Sequence, residues 1–119
     1  MEETKKLSLL EAIGREEGVL VPGSRAARNR NPGNIEYGEF ARNHGAIGSD
    51  GRFAIFGTME DGYKCLEDLL KTKYSEFSIA KTISIYAPST ENNTELYIEH
   101  LCNWTGFEPT TLISEALSV

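Results

Sequence analysis

The strongest constraint on the fold is a long stretch without periodicity near the start of a short chain. Residues 22–38 read PGSRAARNRNPGNIEYG, and the pairs Pro22-Gly23 and Pro32-Gly33 signal turns. A long irregular segment in a small domain usually serves as a functional loop rather than as a connection. We therefore look for functional residues in this loop and beside it.

Helical patterns lie on both sides of this loop. Ser8 and Glu11 have the spacing of a capping box, which starts a helix. Gly18 favours a left-handed helix stop, so Glu17 falls in the last turn of that helix. Capping residues and apolar periodicity predict further helices from Thr58 to Tyr74, over 79–86, from Asn93 or Thr94 to Gly106, and after Pro109.

Strand signals are confined to one region. Gly48-Ser-Asp-Gly51 signals a tight turn, and Arg52–Phe56 after it has the pattern of a short strand. Paired with Ile35–Phe40, this strand would form a small β-hairpin. A chain of 119 residues suits one domain. We predict a single α+β domain over residues 1–119, mainly helical, with a small β-hairpin after the first helix.

Charge and hydropathy exclude several classes of protein. The net charge is −6, and residues 60–119 carry four basic against ten acidic side chains. DNA binding requires neutralised phosphates, so we expect no nucleic-acid partner; single-stranded binding through arginines and tyrosines is a minor alternative. No apolar run approaches the roughly 20 residues that cross a bilayer, and no signal peptide is evident. Cys65 and Cys102 lie in apolar helical patterns and are expected to be small buried thiols.

Glu17 is the first candidate for chemistry. It continues the apolar face of Leu10 and Ile13, at a helix end where the helix dipole disfavours a carboxylate. Burial there would raise its pKa and keep it protonated, which is what a general acid in glycosidic cleavage requires. The alternative is a solvated glutamate in the run Arg15-Glu16-Glu17.

The loop contains a dense cluster of amide side chains beside arginine. Amides suit sugar hydroxyl and N-acetyl groups, because each offers donors and acceptors in one plane. Arginine suits carboxylates on an anionic polysaccharide. Asparagines also build turns, so the same residues have a structural interpretation. The candidate substrate contacts here are Arg28, Asn29, Asn31 and Asn34.

Tyrosines and a further amide supply a second group of candidates. Tyr86 and Tyr97 could line an aromatic wall for sugar rings, although Tyr97 could equally be a core residue of the fourth predicted helix. Tyr37 and Asn92 complete the set of candidate substrate contacts.

Residues 16–35, EEGVLVPGSRAARNRNPGNI, resemble the start of a lysozyme-like family of bacteria and phages. Members of this muramidase and lytic transglycosylase superfamily have a helix ending in Glu-Gly, then a loop with Asn-Pro-Gly-Asn-Ile. Residues 50–56, Tyr86-Ala-Pro, and 91–98 also resemble it, so the likeness covers roughly residues 8–107. Arg30 stands where the family usually has Asn.

The resemblance implies a lysozyme-like fold with Glu17 as catalytic glutamate. It also implies that Tyr97 matches a late tyrosine close to that glutamate. A second catalytic carboxylate would come from Asp50 or Glu36, in or beside the hairpin, unless both are surface charges. No metal or cofactor is expected, because His44 and His100 are isolated in the sequence.

The resemblance thus implies a muramidase that hydrolyses the β-1,4 bond between N-acetylmuramic acid and N-acetylglucosamine in peptidoglycan. A lytic transglycosylase giving 1,6-anhydro products and a non-catalytic wall-binding or virion domain are the alternatives. We expect a monomer whose partner is the glycan strand. Without a signal peptide it would reach the wall through a holin, a phage particle or dedicated secretion, or as a domain of a longer protein.

Overall fold

Polar side chains placed just before apolar runs start most of the helices. In the computed structural model, which describes residues 6–119, Ser8 and Glu11 form the expected capping box. Thr58 and Ser78 cap later helices, because each side-chain oxygen accepts a hydrogen bond from an otherwise unpaired backbone N–H. The elements are α1 (Leu9–Glu16), α2 (Arg25–Asn29), α3 (Glu39–Asn43), β1 (Ala46–Ser49), β2 (Ala54–Phe56), α4 (Met59–Lys73), α5 (Ile79–Tyr86), α6 (Thr94–Thr105) and α7 (Ile113–Leu117).

The predicted class of fold is confirmed at the level of α+β. The described chain is about 51% helical, with a small two-stranded antiparallel hairpin after the first helices. The predicted helices correspond to α1 and to α4 through α7, and α5 has the predicted bounds. Apolar positions at helical spacing therefore carried most of the information about the architecture.

The first strand of the predicted hairpin is wrong. β2 pairs with Ala46–Ser49, and Ile35–Phe40 contributes only an isolated bridge between Glu36 and Phe53. Gly38 is the N-cap of α3, and Ala41 turns inward to a buried position. Glu39 and Phe40 therefore belong to α3 and not to the strand that the sequence pattern predicted.

A short helix also interrupts the loop that was predicted to be irregular. Ser24 accepts a hydrogen bond from the backbone N–H of Ala27 at 3.1 Å, which starts α2, and Ala26 is buried beneath it. The helix ends at Arg30, whose backbone is left-handed with φ 51°. Five residues are too few to display a 3.6-residue period, so the apolar pattern of the sequence could not predict this helix.

The core lies between α1, α4, α5, α6 and the inner face of β2. Cys65 is fully buried in it as a free thiol, as predicted, and burial raises the pKa of that thiol to about 11. Cys102 is also a free thiol but is only half-buried, which corrects its predicted burial. Large fully buried side chains include Leu9, Ile13, Phe56, Leu66, Leu70, Ile83, Leu101 and Ile113.

The Asn-Pro-Gly-Asn loop (residues 31–34) packs tightly against α4. At Gly62 a Cβ atom would collide with the backbone carbonyl of Arg30 and the ring of Pro32. At Gly33 it would meet the Tyr86 hydroxyl at 2.6 Å. Glycine at 62 therefore lets the backbone of α4 approach the loop, and glycine at 33 lets the loop approach side chains of α4 and α5.

None of the helices in residues 6–119 is long and apolar enough to span a bilayer.

Candidate active site

The carboxyl group of Glu17 stands where α1 ends. Its backbone N–H still bonds to Ile13 O, and Gly18 follows with φ 93°, so the chain turns away from the helix axis at this point. The side chain accepts two hydrogen bonds. Asn34 Nδ2 donates to Oε1 at 2.9 Å, and the Tyr97 hydroxyl donates to Oε2 at 2.7 Å.

The surroundings favour the protonated form of Glu17. Burial is the largest effect and raises the pKa of this carboxyl group. The hydrogen bonds from Asn34 and Tyr97 stabilise the carboxylate and act in the opposite direction, while the charge of Glu16 raises the pKa further. The net result is a raised pKa, the property that a general acid needs.

Tyr97 and Tyr86 approach this region from α6 and α5. Tyr97 is only 3% exposed and does not line the cleft, so it is the core residue of the two alternatives, and its hydroxyl is also a partner of Glu17. The Tyr86 hydroxyl donates to the backbone carbonyl of Gly33 and fixes the Asn-Pro-Gly-Asn loop. Burial and the charge of Glu17 raise the pKa values of both phenols well above normal, so both remain protonated donors.

A cleft of about 970 Å³ lies beside Glu17, at the upper end of the range for small-ligand pockets. The segment 33–44, the turn around Arg52, α4 and the α5–α6 connection form its walls. Six of the sequence-predicted site residues line it: Glu17, Asn34, Glu36, Tyr37, Tyr86 and Asn92. Tyr97 lies behind Glu17 and reaches it by the hydrogen bond described above.

Besides Tyr97, three predicted substrate contacts lie outside the lining of this cleft. Asn31 is fully buried; its amide donates to Ile35 O and Ala54 O and accepts from the Ile35 N–H, each at 2.9 Å. Asn29 is buried and donates to a carboxylate of the hairpin turn. Arg28 is exposed on α2, outside the cleft. The two amides are thus buried and bonded to groups of the protein outside the cleft.

Asp50, a predicted catalytic carboxylate, also lies outside the cleft lining. Its carboxylate accepts two hydrogen bonds from Arg25, one from Asn29, and two from the backbone N–H groups of Arg52 and Phe53. Arg25 contributes most to holding the pKa of this carboxyl well below its usual range. These bonds tie α2 to the hairpin turn, so the visible role of Asp50 is to fix that turn.

Glu36, the other predicted catalytic carboxylate, does line the cleft. It is exposed and forms an ion pair with Arg52 at 3.2 Å. The same guanidinium contacts Glu91 of the α5–α6 connection at 3.2 Å. Arg52 therefore joins two walls of the cleft, an arrangement that the sequence did not suggest because its three members are far apart in the chain.

Residues of α3 were missed as site residues. Phe40 and His44 line the cleft, and their rings are stacked with centroids 3.9 Å apart. Asn43 lies between them in sequence and also lines it. Their spacing of four is a helical signal, but the prediction of a strand ending at Phe40 concealed it.

The residues that line the cleft are suited to acid–base chemistry and to the binding of polar groups. It holds a protonatable carboxyl, amides, aromatic rings and both signs of charge. Across residues 6–119, no three His, Cys, Asp or Glu side chains come together as a metal would require. No protein-family model matches this chain, and a search of the curated proteins finds no match.

Proposed function

We propose that this protein is a glycosidase of the lysozyme-like class that cleaves peptidoglycan, with Glu17 as general acid. The observation that carries the proposal is a half-buried carboxyl group with a raised pKa at the end of α1, hydrogen-bonded by Asn34 and Tyr97 at the wall of a large cleft. The resemblance of residues 16–35 and 86–98 to that family indicates which bond is cleaved: the β-1,4 bond between N-acetylmuramic acid and N-acetylglucosamine.

In the proposed reaction, Glu17 gives its proton to the glycosidic oxygen as the bond to the anomeric carbon breaks. Water adds to that carbon and loses a proton to the Glu17 carboxylate, so the acid is restored and the product has a reducing end. Glu36 is the sequence-predicted partner that lines the cleft; its Oε2 atom pairs with Arg52, and its other oxygen would orient this water.

A lytic transglycosylase is the second candidate, favoured by the position of Asp50 outside the cleft lining. In that reaction no water is consumed, because the 6-hydroxyl of the muramic acid residue attacks the anomeric carbon and gives a 1,6-anhydro end. Glu17 would give its proton to the leaving oxygen and then take the proton of that hydroxyl.

Replacement of the acid tests the proposal. Glu17→Gln should lower the rate of clearing of a cell-wall suspension at least about 100-fold, since a general acid contributes that much or more. Glu99→Gln, an exposed change on α6 outside the cleft, is the matched control and should clear as the wild type does. Equal clearing by both variants, with unchanged circular dichroism, would contradict the role of Glu17.

The products separate the candidate functions. Mass spectrometry of digested sacculi should show free reducing ends for hydrolysis, whereas anhydro ends are lighter by one water. Glu36→Gln should slow only a hydrolase that uses this carboxylate, and Asp50→Asn should leave either chemistry intact once folding is verified. Wild-type protein that sediments with peptidoglycan but releases no fragments would instead indicate a binding domain.

A further inference from the structure

Asn34 contacts Glu17 twice. Its Nδ2 atom donates to the carboxyl oxygen Oε1 at 2.9 Å and lies 3.4 Å from the backbone carbonyl oxygen of the same residue. The amide thus bridges the side chain and the backbone of Glu17 at the end of α1, where helix carbonyls lack partners within the helix.

Two unfavourable features of Asn34 show that the fold holds it there at a cost. Its backbone is left-handed, with φ 46°, which an L-residue rarely adopts, although Asn does so more readily than most. Its side-chain oxygen Oδ1 is buried without a hydrogen-bond partner among the described residues. Strain and an unpaired polar atom of this kind concentrate at functional sites.

The loop does not need the Asn34 side chain for its shape. Asn31 bonds to three backbone groups beneath the loop, and Tyr86 fixes Gly33. The backbone N–H of Asn34 closes its own turn on Asn31 O at 3.0 Å, whatever its side chain does. What remains for the amide of Asn34 is its contact with Glu17.

We propose that Asn34 is the positioning residue of the general acid, holding the Glu17 carboxyl group in one orientation at the cleft wall, and not a substrate contact. The catalytic part of this inference rests on the proposed function. The hydrogen-bond part does not, because it concerns the protonation of one carboxyl group in the free protein.

The charged and titratable groups near this carboxyl are few. Glu16 precedes it on α1, Tyr97 faces it from α6, and Tyr86 approaches from α5. Both phenols remain protonated where Glu17 titrates, since burial raises their pKa values. A change in the titration of Glu17 on replacing Asn34 can therefore be assigned to the lost amide.

Asn34→Gly is the sharpest test, because glycine accepts the left-handed backbone and removes only the amide. Arg30→Gly is its matched control: Arg30 is the other left-handed non-glycine residue in the described chain, directly precedes the same loop, and is exposed outside the cleft. We expect Asn34→Gly to lower kcat about 10- to 100-fold with KM little changed, and Arg30→Gly to change neither. A raised KM with unchanged kcat would overturn the inference in favour of a substrate contact.

The carboxyl carbon resonance of Glu17, followed by NMR through a pH titration, gives the independent readout. Loss of the donor should raise the pKa of Glu17 in Asn34→Gly, and Asn34→Asp should raise it further by adding a like charge. Titrations of both variants identical to that of Arg30→Gly would overturn the inference. If the wild type cleaves no peptidoglycan, the proposed function fails, while this titration still decides the role of Asn34.

Discussion

Glu17 couples the candidate chemistry to the stability of the fold. Its pKa is raised in the folded protein, so the folded state binds this proton more tightly than the unfolded chain does. The resulting stability is fully present below the unfolded pKa and is lost as pH rises through the folded value. The raised pKa therefore means that ionisation of Glu17 at higher pH leaves a disfavoured carboxylate in the folded protein.

Glu17→Gln should remove this dependence. We expect the melting temperature of the variant, relative to wild type, to rise as the pH increases above the ordinary pKa of glutamate and to level off once Glu17 has ionised in the folded wild type, because only the wild type ionises at this position. Thermal unfolding followed by circular dichroism measures the difference. Glu99→Gln, exposed and distant from the cleft, should show no such trend; a constant offset for Glu17→Gln would mean that burial does not disfavour its charge.

Tyr97→Phe should shift the alkaline limb of the pH–activity profile to higher pH. The hydroxyl donates to Glu17 Oε2 and stabilises the carboxylate, so its loss raises the pKa of Glu17 and keeps the acid protonated to higher pH. The dependence of kcat/KM on pH reports this shift. Tyr63→Phe is the control, since Tyr63 is half-buried on α4 outside the cleft lining. A shift of the alkaline limb to lower pH would show that Tyr97 stabilises the protonated form of Glu17.

Among the elements, the contact between α4 and the Asn-Pro-Gly-Asn loop bears most directly on the site. Gly62→Ala would drive a methyl group into Arg30 O and the Pro32 ring, backbone and ring atoms that cannot rotate away. We expect a loss of about 1–3 kcal/mol in the free energy of unfolding, typical of overpacking. Urea denaturation measures it. Gly48→Ala, which meets open space on β1, should cost much less; equal losses would show that helix and loop can separate freely.

The sequence predicted elements well where local signals agree with packing. The helices α4 to α6 begin at capping residues and bury regular apolar faces, so a single chain reveals them. The prediction of a strand over residues 35–40 failed, because only tertiary contacts decide between a strand and the helix that begins at Glu39. The same limit applies to the amides: Asn29, Asn31 and Asn34 are chemically alike, and only the fold directs one of them to Glu17 and the others inward.

For the molecule as a whole, charge should govern the approach to an anionic cell wall. The net charge is −6, so chain and wall repel each other when ions are scarce. We expect the rate on sacculi to rise as salt increases from about 10 mM to about 150 mM, since the screening length falls from about 30 Å to about 8 Å. A neutral chitooligosaccharide is the matched substrate and should show no such rise. A rate on sacculi that falls with salt would point to a local cationic contact.

The partnership between Glu17 and Tyr97 joins residues 80 positions apart in the chain. During synthesis, at about 5–20 residues per second, the tyrosine is added roughly 4–16 s after the glutamate. The nascent chain thus contains its acidic group long before the phenol and the helix that enclose it exist. A ribosome-bound chain that ends before Tyr97 should therefore show none of the proposed glycan cleavage, because it lacks one of the two hydrogen-bond donors to Glu17.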